Sequence, residues 1–182
     1  GCAIAALSEA KRLRECGWDR PIVLLPGFVD TAELDECRRL GIDPVIHSPY
    51  QLALMLANPS GITRVWLKAN TGMNRLGLNA EAWHEALTAL SAVPNLAVVA
   101  MSHLACADEL DSPVTLKQKS QFDSLLADTG AIRKTLAASG GILAWPQTHY
   151  DIVRPGIMLY GSSPFADRSA QSLGLLPVMT LK

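Results

Sequence analysis

A chain of 182 residues, 49% hydrophobic and 18% charged, has enough apolar side chain for one buried core or for part of a larger one. With 16 basic and 17 acidic side chains the formal net charge is −1, and only three Phe and three Tyr accompany basic residues scattered along the chain. This is not the footprint of a nucleic-acid surface, and no apolar run approaches the roughly 20 residues of a membrane-spanning helix, so a soluble chain is expected.

Short apolar runs alternate with amphipathic segments. Residues 1–7 read as a strand, and Ser8 is a good N-cap for a helix with Ala10, Leu13 and Cys16 on one face, ended by Gly17. Residues 21–25 form a continuous apolar run of the kind a buried parallel strand shows. Asp30 and Glu33 stand at capping-box spacing before a helix that presents Leu34, Cys37 and Leu40 and stops at Gly41. A strand over 43–47 follows, then a helix capped by Ser48 with Gln51. Residues 64–68 are the next strand, Asn79 precedes a helix over 80–92, and residues 96–101 are another strand. A longer loop leads to a helix over 121–126. Residues 132–137 read as a strand, 141–145 as a helical turn, and 150–153 close the series.

Seven βα-like units in strict alternation predict a parallel sheet covered by helices. Periodicity alone leaves two architectures, an open doubly wound sheet and a (β/α)8 barrel; seven strands with a truncated front favour a barrel lacking its first strand. The chain opens without Met inside one strand-like run and closes inside another, at 178–182, which reads as a fragment. Cys2, Cys16, Cys37 and Cys106 form no CxxC pair, and three of the four sit on apolar faces, so buried thiols in a reducing cytoplasm are expected rather than disulfides or a metal site.

In either parallel architecture chemistry gathers at the carboxyl ends of the strands. Four strand ends carry charged or polar groups: Lys68 to Gly77, Ser102-His103, Ala138-Ser139-Gly140-Gly141, and Arg154-Pro155-Gly156-Ile157. Ser139 leads into a helical turn whose amides favour an anion, although a plain turn is the commoner reason for Gly-Gly after Ser. Gly156 leaves room for a ligand against the backbone. Lys68 ends an apolar strand, where a buried ammonium must be paired, neutralised or modified; a lysine that snorkels to the rim is the alternative. Taken singly, His103 also fits a satisfied core histidine, and Arg75 and Arg154 fit surface residues.

Together, these residues resemble the alanine racemases. Lys68-Ala69-Asn70-Thr71-Gly72-Met73-Asn74-Arg75-Leu76-Gly77 is similar to that family's Lys-x-x-(Thr/Ser)-Gly-Met-x-Arg-x-Gly segment. Met101-Ser102-His103 with Ala107-Asp108-Glu109 resembles its next strand and loop, and Arg154-Pro155-Gly156-Ile157-Met158-Leu159-Tyr160-Gly161 resembles its Arg-Pro-Gly signature. The resemblance implies a (β/α)8 TIM-type barrel over 1–174, with 175–182 entering a second, β-rich domain. It implies interconversion of L- and D-alanine through an aldimine to pyridoxal 5′-phosphate, in a cytoplasmic bacterial homodimer that supplies D-alanine for peptidoglycan or for alanine catabolism. A broad-specificity or lysine racemase, and a non-catalytic barrel that holds the cofactor, are the alternatives.

The same resemblance assigns roles. Arg154 faces the pyridine nitrogen and hydrogen-bonds His103. Ser139, Gly156 and Ile157 bind the phosphate. Arg75 lies near the phenolic oxygen and the substrate carboxylate, and Lys68 is open to carbamylation. The family usually reads Asn-Ser-Ala-Ala where this chain has Ala138-Ser139-Gly140-Gly141, one polar group fewer. The Schiff-base lysine and the tyrosine base of the family fall before Gly1 and after Lys182, so the chain by itself is expected not to racemise alanine.

Overall fold

The structure, a computed structural model, describes residues 1–178; all but the first residue of the strand expected at 178–182 lies outside them. Two compact units divide the chain: Gly1–Asn70 with Asn74–Met101, and Thr71–Met73 with the chain from Ser102 onward.

The first unit contains β1 (Cys2–Ile4), α1 (Leu7–Glu15), β2 (Ile22–Leu24), α2 (Thr31–Leu40), β3 (Asp43–Ile46), α3 (Pro49–Ala57), β4 (Arg64–Lys68), α4 (Ala80–Ser91) and β5 (Ala97–Met101). The strands follow one another across a parallel sheet in chain order, with Leu67 opposite Ala100 and Lys68 opposite Met101. β2 and β3 are buried at every position, which is why their sequences run apolar without alternating. Helix residues at intervals of three and four cover the sheet: Leu34 and Cys37 from α2 beside β3, and Trp83, Ala86 and Leu90 from α4 beside β4 and β5.

Local chemistry sets the helix starts. Asp30 accepts from the Glu33 amide at 2.8 Å while the Glu33 carboxylate accepts from the Val29 amide at 2.9 Å. Asn79 accepts from the Ala82 amide at 2.9 Å. Ser8 does not cap α1, which starts one residue earlier with Ala6 at the N-cap. The Glu9 carboxylate reaches back to take the amides of Ala5 and Ala6 (2.8 and 2.9 Å), the acidic half of a capping box with no hydroxyl at the N-cap. All four cysteines are free, but only Cys37 is buried, where desolvation pushes its thiol up to about 12; Cys16 is exposed.

In the second unit, α5 (Val114–Leu126) precedes β6 (Arg133–Thr135) and α6 (Ser139–Ala144), with short 3-10 turns beyond. α5 begins at Val114 rather than near Gln121. Its buried face includes Thr115 and Gln118 alongside Phe122, Leu125 and Leu126, so two polar residues conceal the first half of the stripe. The strand expected at 150–153 is a single parallel bridge between Ile152 and Thr135. Tyr150 holds φ +48 and Pro155 has no amide to donate, so extended pairing cannot run in either direction. The described residues therefore form six strands, not seven.

Candidate cofactor site

The loop after β4 is built to return. Leu78 donates its amide to the Lys68 carbonyl at 2.9 Å, and Asn70 donates to the Leu78 carbonyl at 2.8 Å. Gly77 makes that closure possible: its φ is +128, and a Cβ there would stand 2.6 Å from the Asn70 nitrogen and 2.7 Å from the Ala69 carbonyl carbon. The Asn70 side chain accepts from the Asn74 amide and donates to the Asn74 side chain (3.1 and 3.0 Å), holding Asn74 at φ +57. Lys68 is 7% exposed at the root of this loop, as expected of a strand-end lysine in an apolar run. Arg75 is exposed on the loop and has no hydrogen bond or ion pair among the described residues. Both belong to the first unit; the remaining candidates belong to the second.

Arg154 follows the bridge at Ile152, and its amide donates to the Ala137 carbonyl at 2.9 Å. Its Nη2 donates to the carbonyls of Ser102 (2.7 Å) and Leu136 (3.1 Å) and to Nδ1 of His103 (3.2 Å), while Nη1 donates to the Thr135 hydroxyl. A guanidinium has no lone pair to offer, so His103 Nδ1 is the acceptor and the imidazole carries its proton on Nε2. No carboxylate among the described residues pairs with Arg154. Burial pushes the guanidinium down to about 10, still far above neutral pH, so it stays a cation held only by neutral acceptors. Its Nε–H and the second Nη1–H take no partner among the described residues and are the donors left for a ligand.

Ser139, at the start of α6 and 5% exposed, accepts at its hydroxyl from the amides of Gly156 (3.0 Å) and Met158 (3.3 Å). The intervening Ile157 amide has no partner among the described residues, and the Ile157 side chain is half exposed. A Cβ on Gly156 would meet only the Ser139 hydroxyl within 4 Å, at 3.9 Å, so the glycine leaves open space next to that oxygen. Gly140 and Gly141 serve packing: added Cβ atoms would stand 3.2 Å from Ala107 and 3.0 Å from Ala137 Cβ. Ala138 is the N-cap of α6 and offers no side-chain acceptor, the consequence of lacking the Asn.

This donor set fits pyridoxal phosphate. A leftover Arg N–H suits an aromatic ring nitrogen, and a hydroxyl with an unpartnered amide across an open glycine suits a phosphate. Sequence reasoning missed two residues of the network, Thr135 and Gln118. Gln118 accepts from the Ala105 amide at 2.8 Å and donates to the His103 carbonyl at 3.0 Å. Both are uncharged polar residues within buried faces, where no pattern separates them from noise.

A family model of the alanine racemase N-terminal domain matches residues 1–164. An alanine racemase of Vibrio parahaemolyticus is 46% identical over 98% of the chain, and one of Thioalkalivibrio sulfidiphilus 47% identical; the chain covers 51% and 50% of them. Among solved structures, the alanine racemase of Acinetobacter baumannii superposes with a TM-score of 0.92 at 34% identity, over 97% of this chain and 50% of that one. The biosynthetic alanine racemase of Pseudomonas aeruginosa gives 0.89 at 38% identity, over 96% and 49%. A structure from Bartonella henselae, 27% identical with a TM-score of 0.79 over 89% and 48%, is of an alanine racemase with covalently bound pyridoxal phosphate. The chain thus spans about half the length of the relatives it matches, and its fold is that of their N-terminal barrel domain rather than an open doubly wound sheet. It belongs to the alanine racemase family.

Proposed function

We propose that the full-length protein interconverts L-alanine and D-alanine with pyridoxal 5′-phosphate, as a cytoplasmic homodimer supplying D-alanine for peptidoglycan or for alanine catabolism. In this reading residues 1–174 belong to the cofactor-binding barrel and 175–182 lead into a β-rich second domain. The observation that carries it is the Arg154 guanidinium, fixed by neutral acceptors with Nε–H in reserve, in the unit that also holds Ser139 and the open Gly156 beside it.

When bound, pyridoxal phosphate supplies the electron sink that makes a proton on an amino acid's Cα removable. Arg154 donates to the ring nitrogen and, being unable to give up a proton at neutral pH, keeps that nitrogen unprotonated; a weaker sink disfavours transamination. His103 accepts from Nη2 and so orients the fork. Ser139 and the amides of Gly156 and Ile157 bind the phosphate. Arg75 binds the substrate carboxylate and the phenolic oxygen. Lys68, buried at the end of β4, adds carbon dioxide as the neutral amine and loses a proton, becoming an anion rather than a cation.

The test is the full-length protein incubated with each enantiomer of alanine, read by chiral chromatography and by the visible absorbance of the cofactor. Either enantiomer should run to an equal mixture. Turnover of lysine in place of alanine would redirect the substrate assignment, and bound cofactor without turnover of any amino acid would leave a binding barrel. Intact-mass analysis under native conditions should show Lys68 carrying an added carbon dioxide that is lost on acidification.

A further inference from the structure

Gln118 is among the largest side chains in the molecule with almost no exposure, and a fully buried carboxamide is costly unless every polar atom is used. Its oxygen accepts from the Ala105 amide at 2.8 Å and its nitrogen donates to the His103 carbonyl at 3.0 Å, closing a two-point grip on residues 103–105. The preceding carbonyl, that of Ser102, is taken by Arg154 Nη2 at 2.7 Å. Consecutive carbonyls on either side of the His103 amide are therefore anchored by two different side chains, one from α5 and one from the Arg-Pro-Gly segment. Gly72, at φ +121, packs over the Gln118 side chain, with room for a Cβ only 3.4 Å from its Cγ.

The imidazole of His103 meets Arg154 only if its backbone is set, because the bond between them runs from Nη2 to Nδ1 at 3.2 Å. Resting on the cofactor reading above, we propose that Gln118 is a positioning residue for His103: by gripping residues 103–105 it presents Nδ1 to Arg154 and selects the tautomer with the proton on Nε2. Thr115, one turn earlier on the same face of α5, donates its hydroxyl to the Cys106 carbonyl at 3.1 Å and supplies a control, since it ties the same loop to the same helix without touching 103–105.

The experiment uses the full-length protein with 15N-labelled histidine, without added cofactor, and reads the His103 ring nitrogens by long-range proton–nitrogen correlation. His103 is assigned by the signal lost in His103→Gln. The wild type should show one neutral tautomer, protonated at Nε2. Gln118→Leu should lose that single-tautomer signature and Thr115→Val should keep it. Gln118→Glu keeps the acceptor for Ala105 but sets an oxygen against the His103 carbonyl; it should behave like Gln118→Leu and carries the test if the leucine variant does not fold. A wild-type tautomer in a folded Gln118→Glu or Gln118→Leu protein, or equal loss in Thr115→Val, overturns the proposal. In the cofactor-loaded enzyme kcat for alanine should fall roughly tenfold in Gln118→Glu with KM nearly unchanged, since a small misplacement of an orienting group acts on the reacting geometry. Because the tautomer is read without cofactor, failure of this proposal is distinct from failure of the racemase reading, which the wild-type turnover decides.

Discussion

Two histidines stand just past strand ends, one in each unit, and each is served by a buried glutamine from a nearby helix. His47 follows β3; Gln51 of α3 accepts from its amide at 2.9 Å and donates to the carbonyls of Pro26 and Phe28 (3.0 and 3.1 Å). Because both Gln51 amide hydrogens are so used, the imidazole Nε2 of His47 holds a proton and donates to the Pro26 carbonyl at 2.9 Å. His103 and Gln118 repeat the arrangement, but there the bare nitrogen Nδ1 is the bonded one and its partner is a cation. Protonating His47 at Nδ1 leaves its bond intact, whereas protonating His103 at Nδ1 breaks the bond to Arg154. The same pair of residue types thus makes a structural tie in one place and a chemically poised group in the other, and what decides is the neighbour: a carbonyl or a guanidinium.

The largest expected effect falls on the structural tie. Gly27, at φ +70, passes so close under Gln51 that a Cβ would stand 2.2 Å from the Val45 carbonyl oxygen and 2.5 Å from the Gln51 amide nitrogen. Gly27→Ala should cost about 3 kcal/mol in denaturant unfolding of the full-length protein, strain and backbone overlap combined; a loss below about 1 kcal/mol would mean the tie is loose. Next comes the contrast between the rings. His103→Gln should lower racemisation roughly 100-fold and His47→Gln no more than about twofold, as expected when only one of them acts on the reacting geometry. Equal losses in alanine turnover would dissolve the distinction.

Gln51→Leu leaves the His47 amide and the buried Phe28 carbonyl without their partner and should cost about 2 kcal/mol, read by the same unfolding measurement, with the kinetic constants of the folded enzyme unchanged. The smallest effect lies away from both histidines. Hydrogen bonds from Arg39, and then from Lys11, hold the Glu36 carboxyl down at about 2, below its ordinary value of 4.5. A carboxylate whose folded value is depressed stabilises above the unfolded value and loses that contribution as pH falls through the folded one. Glu36→Gln should therefore lower stability slightly at pH 7, flatten the fall between pH 4.5 and about 2, and make no difference below that.

Much of this could be read without coordinates, and particular residues show where that reading stopped. Asp30 and Asn79 cap as their side chains predict, because a cap is a contact between near neighbours in the chain. Ser8 failed for an equally local reason: Glu9 reaches back to the amides of Ala5 and Ala6 and the helix starts before Ser8. The first turns of α5 were hidden because Thr115 and Gln118 sit on its buried face, and a polar residue there signals burial only once its partner, a loop carbonyl or amide distant in sequence, is known. The seventh strand was overread because apolar composition at 150–153 says nothing of a left-handed Tyr150.

The sequence by itself determined the alternation of strands and helices, the strand-end positions of Lys68 and His103, and the family, since long ordered motifs survive in one dimension. Tertiary structure alone decided which donors remain. That Arg154 spends Nη2 on Ser102, Leu136 and His103 and one Nη1 hydrogen on Thr135, keeping Nε–H and the other Nη1–H, and that Ser139 draws the amides of Gly156 and Met158 around an unpartnered Ile157, depends on groups up to 52 residues apart meeting within hydrogen-bond distance. Hydrogen bonding is short-ranged and saturable, so which polar atoms are left for a ligand is fixed only when the chain has folded around them.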